Sequence, residues 1–222
     1  MKKLVWNALM YAILLLTTMP VNAQTGTDGK LKQYLFPEFI NGTLKMKNGS
    51  TRDLLLNYNT ITEKFVFNQN ETLFDLADTN PIDTIIIITR RFVPVNTFFL
   101  EVLVDSTVAL FVQNRSDLIE SGSPSGYGST SQTSSIKSYS SYASPGRMLN
   151  LELPSDYTVT TEEVFWIRKG DEMTRFHNKR QLLKLFPEDG TEIDRFIKTN
   201  RLKTNNREDL IRIIQLCNLF DR

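Results

Sequence analysis

Apolar and polar residues alternate through much of the first half of the chain, the period-two pattern of strands that bury one face. Gly42-Thr43-Leu44-Lys45-Met46 alternates, Asn48-Gly49 interrupts, and Asp53-Leu54-Leu55-Leu56-Asn57-Tyr58 resumes an apolar strand. Asn-Gly between two such runs predicts a hairpin, because both residues tolerate the positive φ of a type I′ turn. A second hairpin is predicted from Lys64-Phe65-Val66-Phe67 through Asn68-Gln69-Asn70 into Thr72-Leu73-Phe74-Asp75-Leu76. Asn80-Pro81 breaks the chain before the apolar run 82–89. Two more strands, at 98–104 and 108–113, flank the turn Asp105-Ser106-Thr107.

The pattern fails over 120–147, where serine, glycine, tyrosine and threonine dominate and aliphatics nearly vanish. Such a stretch buries too little apolar surface to offset its ordering entropy, so it reads as a flexible loop. Tyr127, Tyr139 and Tyr142 among small polar residues also give it the chemistry of a recognition loop, since tyrosine offers contact area at small entropic cost. Extended segments resume at 148–153 and 163–168, with Lys169-Gly170-Asp171 turning the chain into 172–176. Beyond His177 the period becomes helical. Asn178 is placed to cap a helix over 179–186, stopped by Pro187 and Gly190. Thr191 with Asp194, and Asn206 with Asp209, resemble capping boxes for two further helices. In the last of these, Leu210, Ile213, Ile214, Cys217 and Phe220 fall on one stripe.

The chain's opening has a different character. Lys2 and Lys3, the apolar run 8–16, and Val21-Asn22-Ala23 read as a secretory signal peptide over 1–23, which predicts an exported product beginning at Gln24. No cysteine follows the apolar run, so lipoprotein anchoring has no attachment point, and no later stretch reaches the roughly 20 apolar residues of a membrane helix. Without residues 1–23, 199 of the 222 residues remain and the formal charge moves from +1 to −1 with the loss of Lys2 and Lys3. A nearly neutral chain offers no global reason to bind nucleic acid. Cys217 is the single cysteine, so no internal disulfide can form.

Candidate chemistry is sparse. His177 is the single histidine, which excludes a site built on two histidine ligands, and no serine sits in a Gly-x-Ser-x-Gly elbow to use it as a base. Cys217 reads as a small core residue of its stripe. Glu162-Glu163, Asp171-Glu172 and Glu188-Asp189 are adjacent pairs whose side chains point apart, unlike the two carboxyls facing across a glycosidase cleft. Gly126-Tyr127-Gly128 is too short for a dinucleotide fingerprint. Residues 168–222 hold 13 basic and 9 acidic side chains, a modest basic excess suited to a solvated helix face or an acidic partner. Asn-x-Ser/Thr sequons stand at Asn41, Asn48, Asn70 and Asn114, and Asp83-Thr84-Ile85 and Asp105-Ser106-Thr107 resemble short acceptors for O-linked glycans.

Gly42-Thr43-Leu44-Lys45-Met46-Lys47-Asn48-Gly49, the Ser/Tyr-rich middle and Lys179-Arg180-Gln181-Leu182-Leu183-Lys184-Leu185-Phe186-Pro187 give the chain a likeness to exported proteins of unknown function from Bacteroidota. The resemblance implies a periplasmic or outer-membrane setting and carries no active residues with it. The expected fold is α+β: an antiparallel β-rich core, a small barrel or sandwich, over 24–119, the loop 120–147, and strands followed by helices over 148–222. The expected function is a non-catalytic binding or accessory subunit of a periplasmic or outer-membrane assembly. No catalytic, cofactor or metal residue is assigned, and the expected partner is an envelope protein or outer-membrane complex, with any membrane contact indirect. The competing expectations are an enzyme acting on glycan or peptidoglycan through distant carboxylates, and a carrier of a small ligand.

Overall fold

The computed structural model describes residues 32–120 and 157–220. The signal segment, the strand expected at 148–153, and Tyr127, Tyr139 and Tyr142 lie outside the described residues. Among the described residues ten strands occur in chain order: Ile40–Met46 (β1), Thr51–Asn59 (β2), Lys64–Gln69 (β3), Thr72–Asp75 (β4), Ile82–Ile87 (β5), Arg90–Val95 (β6), Phe98–Val104 (β7), Val108–Glu120 (β8), Tyr157–Lys169 (β9) and Glu172–Phe176 (β10). Three helices follow: Lys179–Lys184 (α1), Gly190–Thr199 (α2) and Arg207–Phe220 (α3). The strands form one antiparallel sheet ordered β10-β9-β8-β7-β6-β5-β1-β2-β3-β4, an α+β arrangement whose ladder ends at β10 and β4 and does not close.

The sheet curls strongly. Phe65 on β3 and Phe99 on β7 are five ladder steps apart, about 24 Å in a flat sheet at about 4.8 Å per strand. Their ring centroids are 5.0 Å apart. With Leu56, Tyr58, Ile85, Ile87 and Phe92 they fill the concave face of β5-β1-β2-β3. On the same face of β8, β9 and β10, the stripe of α3 packs with α1 and α2 against Val108, Leu110, Val112, Phe165, Ile167 and Phe176. One sheet face thus holds two apolar cores side by side, one roofed by its own far strands and the other by helices.

Several turns depart from expectation. At Asn48-Gly49 only Gly49 has positive φ, at 83°, and its N–H donates to Met46 O while Met46 N–H donates to Ser50 O. That is a three-residue loop with a bulge, not the expected type I′ turn. The type I′ pattern occurs at Asn70-Glu71, φ 52° and 62°, with Gln69 paired to Thr72, one residue beyond the predicted turn. Strand β6 was not expected, because Ile88-Thr89 lacks turn residues and Pro94 reads as a breaker. Pro94 is tolerated because β5 pairs with β6 only at Arg90, Arg91 and Phe92. Gly42 is required by its neighbours: a Cβ there would lie 2.8 Å from Ile86 O and from Ile87 Cγ1.

The helix caps are mixed. Asn178 Oδ1 accepts from Gln181 N–H at 3.0 Å, and Asn206 Oδ1 from Asp209 N–H at 2.9 Å, as the sequence predicted. The box at Thr191 does not form, because α2 begins at Gly190 and places Thr191 inside its first turn. Asp194 instead joins α1 to α2, meeting Lys179 at 2.7 Å and Lys198 at 2.6 Å.

Candidate functional site

Among the described residues the most buried charge lies on the seam between the two cores. Glu101 on β7 is 3% exposed. Arg90 Nε and Nη2 donate to its two oxygens at 2.8 and 2.6 Å, Arg207 Nη1 donates at 2.8 Å, and Asn114 Nδ2 at 3.2 Å. Arg207 Nη2 also reaches Glu163 at 2.6 Å, so the first residue of α3 is pinned to β7 and β9 together. The half-buried Arg90 guanidinium lies 5.0 Å from the centroid of the Phe36 ring and 5.5 Å from that of Phe92. Burial pushes the Glu101 carboxyl up, but the hydrogen bonds and charges of Arg90 and Arg207 outweigh it and hold it below the ordinary carboxylate range.

A second polar group stands where β8 leaves β7. The last paired residues are Glu101 and Val112, and beyond them the β2–β3 turn takes the place of β7 beside β8. Ser116 N–H donates to Thr60 O at 2.8 Å, and the two hydroxyls meet at 2.8 Å. In the same turn Glu63, at φ 56°, accepts a hydrogen bond from the Gln113 amide, whose oxygen accepts from Trp166 Nε1 at 3.1 Å. Burial raises the Glu63 carboxyl above its ordinary value, against the lowering effects of Gln113 and Arg115. Arg115 meets Asp117 at 3.1 Å and Glu162 at 3.7 Å.

The third feature is a pocket of about 250 Å³ between the β9–β10 hairpin and the end of α1, lined by Ile167, Lys169, Glu172, Thr174, Lys184 and Leu185. Alternation places Ile167 and Thr174 opposite each other on the helix-covered face, and Lys184 and Leu185 at the end of α1 complete the lining. Lys169 Nζ sits 5.4 Å from the centroid of Phe186. Beside the pocket, β10 pairs with β9 and, among the described residues, has no strand on its other side.

The residues singled out in the sequence are dispersed. His177 is exposed and its N–H donates to Gln181 Oε1 at 2.7 Å, so it flanks the start of α1. Cys217 is buried on the α3 stripe. Glu162 and Glu163 diverge to Arg115 and Arg207, the opposed directions that strand geometry demands. Asp189 is the N-cap residue of α2, and its side chain makes no capping hydrogen bond. Among the sequons Asn114 is buried on Glu101, whereas Asn41, Asn48 and Asn70 are exposed. Thr84 is buried with its hydroxyl on Asp83, and Ser106 is exposed in its turn. Among the described residues no three His, Cys, Asp or Glu side chains converge as metal ligands would. Sequence reading missed Glu101, Arg90, Arg207 and Glu63, because ion pairs between residues this far apart in sequence leave no local pattern. No protein family, curated protein or solved structure matches the chain.

Proposed function

We propose that the chain is a non-catalytic binding or accessory subunit, exported to the periplasm or the periphery of the outer membrane and recruited there by an envelope protein. The observation that carries this reading is the pairing of an edge strand, β10, with an adjoining pocket small enough for a single residue. It is supported by the use of the deepest charge: Glu101 spends both oxygens on two arginines and an asparagine that brace the fold. Among the described residues no helix is long and apolar enough to cross a membrane, in keeping with attachment through protein contacts. The curl of the sheet favours a small barrel left open at one side as the finer description of its architecture. Tyr127, Tyr139 and Tyr142 belong to the reading as a second contact, on sequence grounds alone. Purification of the tagged chain from its native envelope tests it: a stoichiometric partner supports the proposal, and a chain recovered alone overturns it.

One observation favours an enzyme acting on glycan instead. Glu63, whose carboxyl burial pushes up, lies under the charge of Arg115, which also pairs with Asp117 and Glu162, so a raised acid stands near two further carboxylates. Polysaccharide turnover that disappears in Glu63→Gln would establish this reading.

A further inference from the structure

We infer that Asn48 is a site of spontaneous modification: the backbone nitrogen of Gly49 attacks its side-chain amide, and the β1–β2 turn converts with time to aspartyl and isoaspartyl forms. This chemistry favours an asparagine followed by glycine, because a Cβ on the following residue obstructs the approach of its nitrogen. The sequence holds two such pairs, Asn41-Gly42 and Asn48-Gly49. Both asparagines are exposed, so exposure does not separate them. The backbone does. Gly42 pairs with Leu54 on one side and Ile87 on the other, and a Cβ built on it would lie 2.8 Å from Ile86 O. Closing a ring from its nitrogen to Asn41 Cγ requires a backbone rotation that both neighbouring strands oppose. Gly49 is exposed in the loop at φ 83°, and a Cβ built on it would meet nothing within 4 Å. That turn has room to rotate.

The Asn48 amide is also activated. Its Oδ1 accepts from Ser50 N–H at 3.0 Å and from Ser50 Oγ at 2.7 Å. Both donors polarise the carbonyl and stay aimed at its oxygen as that oxygen takes up negative charge in the tetrahedral intermediate. Gly49 N gives its proton to water or hydroxide and bonds to Cγ. The Cγ–Nδ2 bond then breaks, and the nitrogen leaves with the electron pair and a proton from water, as ammonia. Water opens the resulting succinimide at either carbonyl, so the overall change is amide plus water to carboxylate plus ammonium. One opening leaves an aspartyl side chain; the other routes the main chain through Cβ. The second product adds a carbon to a loop closed by Gly49 N–H on Met46 O and Met46 N–H on Ser50 O, each at 2.9 Å. Lys47 N–H ties the same loop to Pro81 O at 2.9 Å, so the loosening reaches the entry to β5.

The test is a timed incubation of the folded full chain in neutral buffer at physiological temperature, followed by tryptic mapping. Conversion reads as a gain of about 1 Da that resolves into two isomers. The peptide from Asn48 to Arg52 is expected to convert while the one holding Asn41 does not, and in urea both should convert. Ser50→Ala changes an exposed side chain and should slow conversion of the folded chain about fivefold, as for loss of one solvent-exposed hydrogen bond to a developing charge, with no effect in urea. An unchanged Asn48 in the folded chain, conversion of Asn41 at the same rate, or a Ser50→Ala rate equal to that of the wild type would each overturn the inference. Slowing by Ser50→Ala that persists in urea would overturn it too, since the folded turn would then not be the source of the activation.

Discussion

Side-chain amides take over where backbone ladders stop. Asn57, fully buried on β2, donates to Phe36 O at 2.9 Å and Glu38 O at 3.0 Å and accepts from Phe36 N–H at 3.2 Å, standing in for a strand beside residues 36–38. Asn218 on α3 does the same for Val108, accepting from its N–H at 2.8 Å and donating to its O at 2.9 Å. Neither role is legible in the sequence, because an asparagine in a strand or helix is a propensity cost until its distant partner is known. Glu101 is the extreme case. Glu101→Ala strands two half-buried arginines and should cost about 3–5 kcal/mol in urea unfolding, against about 1 kcal/mol or less for an exposed pair such as Arg91–Asp105.

Glu63 makes the opposite contribution with pH. Its folded-state carboxyl titrates above its ordinary value, so between the two the folded chain holds a proton that the unfolded chain has released. Stability should therefore fall as pH rises from about 4.5 through the folded-state value, and Glu63→Gln should flatten that part of the profile; an unchanged slope would show that Glu63 does not set it. Ile88 is a third residue out of keeping with its surroundings. It holds φ 57° at the first position of a two-residue hairpin loop, 68% exposed, where glycine is the usual occupant. Ile88→Gly should raise stability by about 1 kcal/mol in thermal unfolding, since a β-branched side chain is strained in that region.

At the scale of elements, strand existence is legible everywhere but at β6, and boundaries are the illegible part. Strand β7 matches its predicted bounds because alternation and turn residues agree there, whereas β8 and β9 run on to 13 residues each. Their extensions carry Asn114, Arg115, Ser116, Asp117 and Glu162, polar residues that read as loop until ion pairs and the β2–β3 turn engage them. The helix starts were read from caps, and the reading succeeded where an asparagine stood before the first turn. Asn206→Ala should cost about 1 kcal/mol, while Thr191→Ala should be nearly neutral because Thr191 is a helix-interior residue of α2. Equal losses in the two variants would contradict this assignment of the helix starts.

At the scale of the molecule, the pattern of apolar positions predicted an antiparallel sheet with helices at its end but held no record of curvature. The curl depends on which aromatic rings meet across the concave face, a long-range matter settled by Tyr58, Phe65, Phe92 and Phe99 together. The pocket beside β10 was equally invisible, since Lys169, Glu172 and Lys184 are scattered charges in the sequence and share one lining only in the fold. The central claim is that this corner of the molecule meets a partner. Photo-crosslinking from position 184 in the native envelope, with position 219 on the exposed side of α3 as control, tests it most directly. A single protein adduct of fixed mass from 184 and none from 219 is the predicted result; no adduct from 184, or the same adducts from both positions, would contradict it.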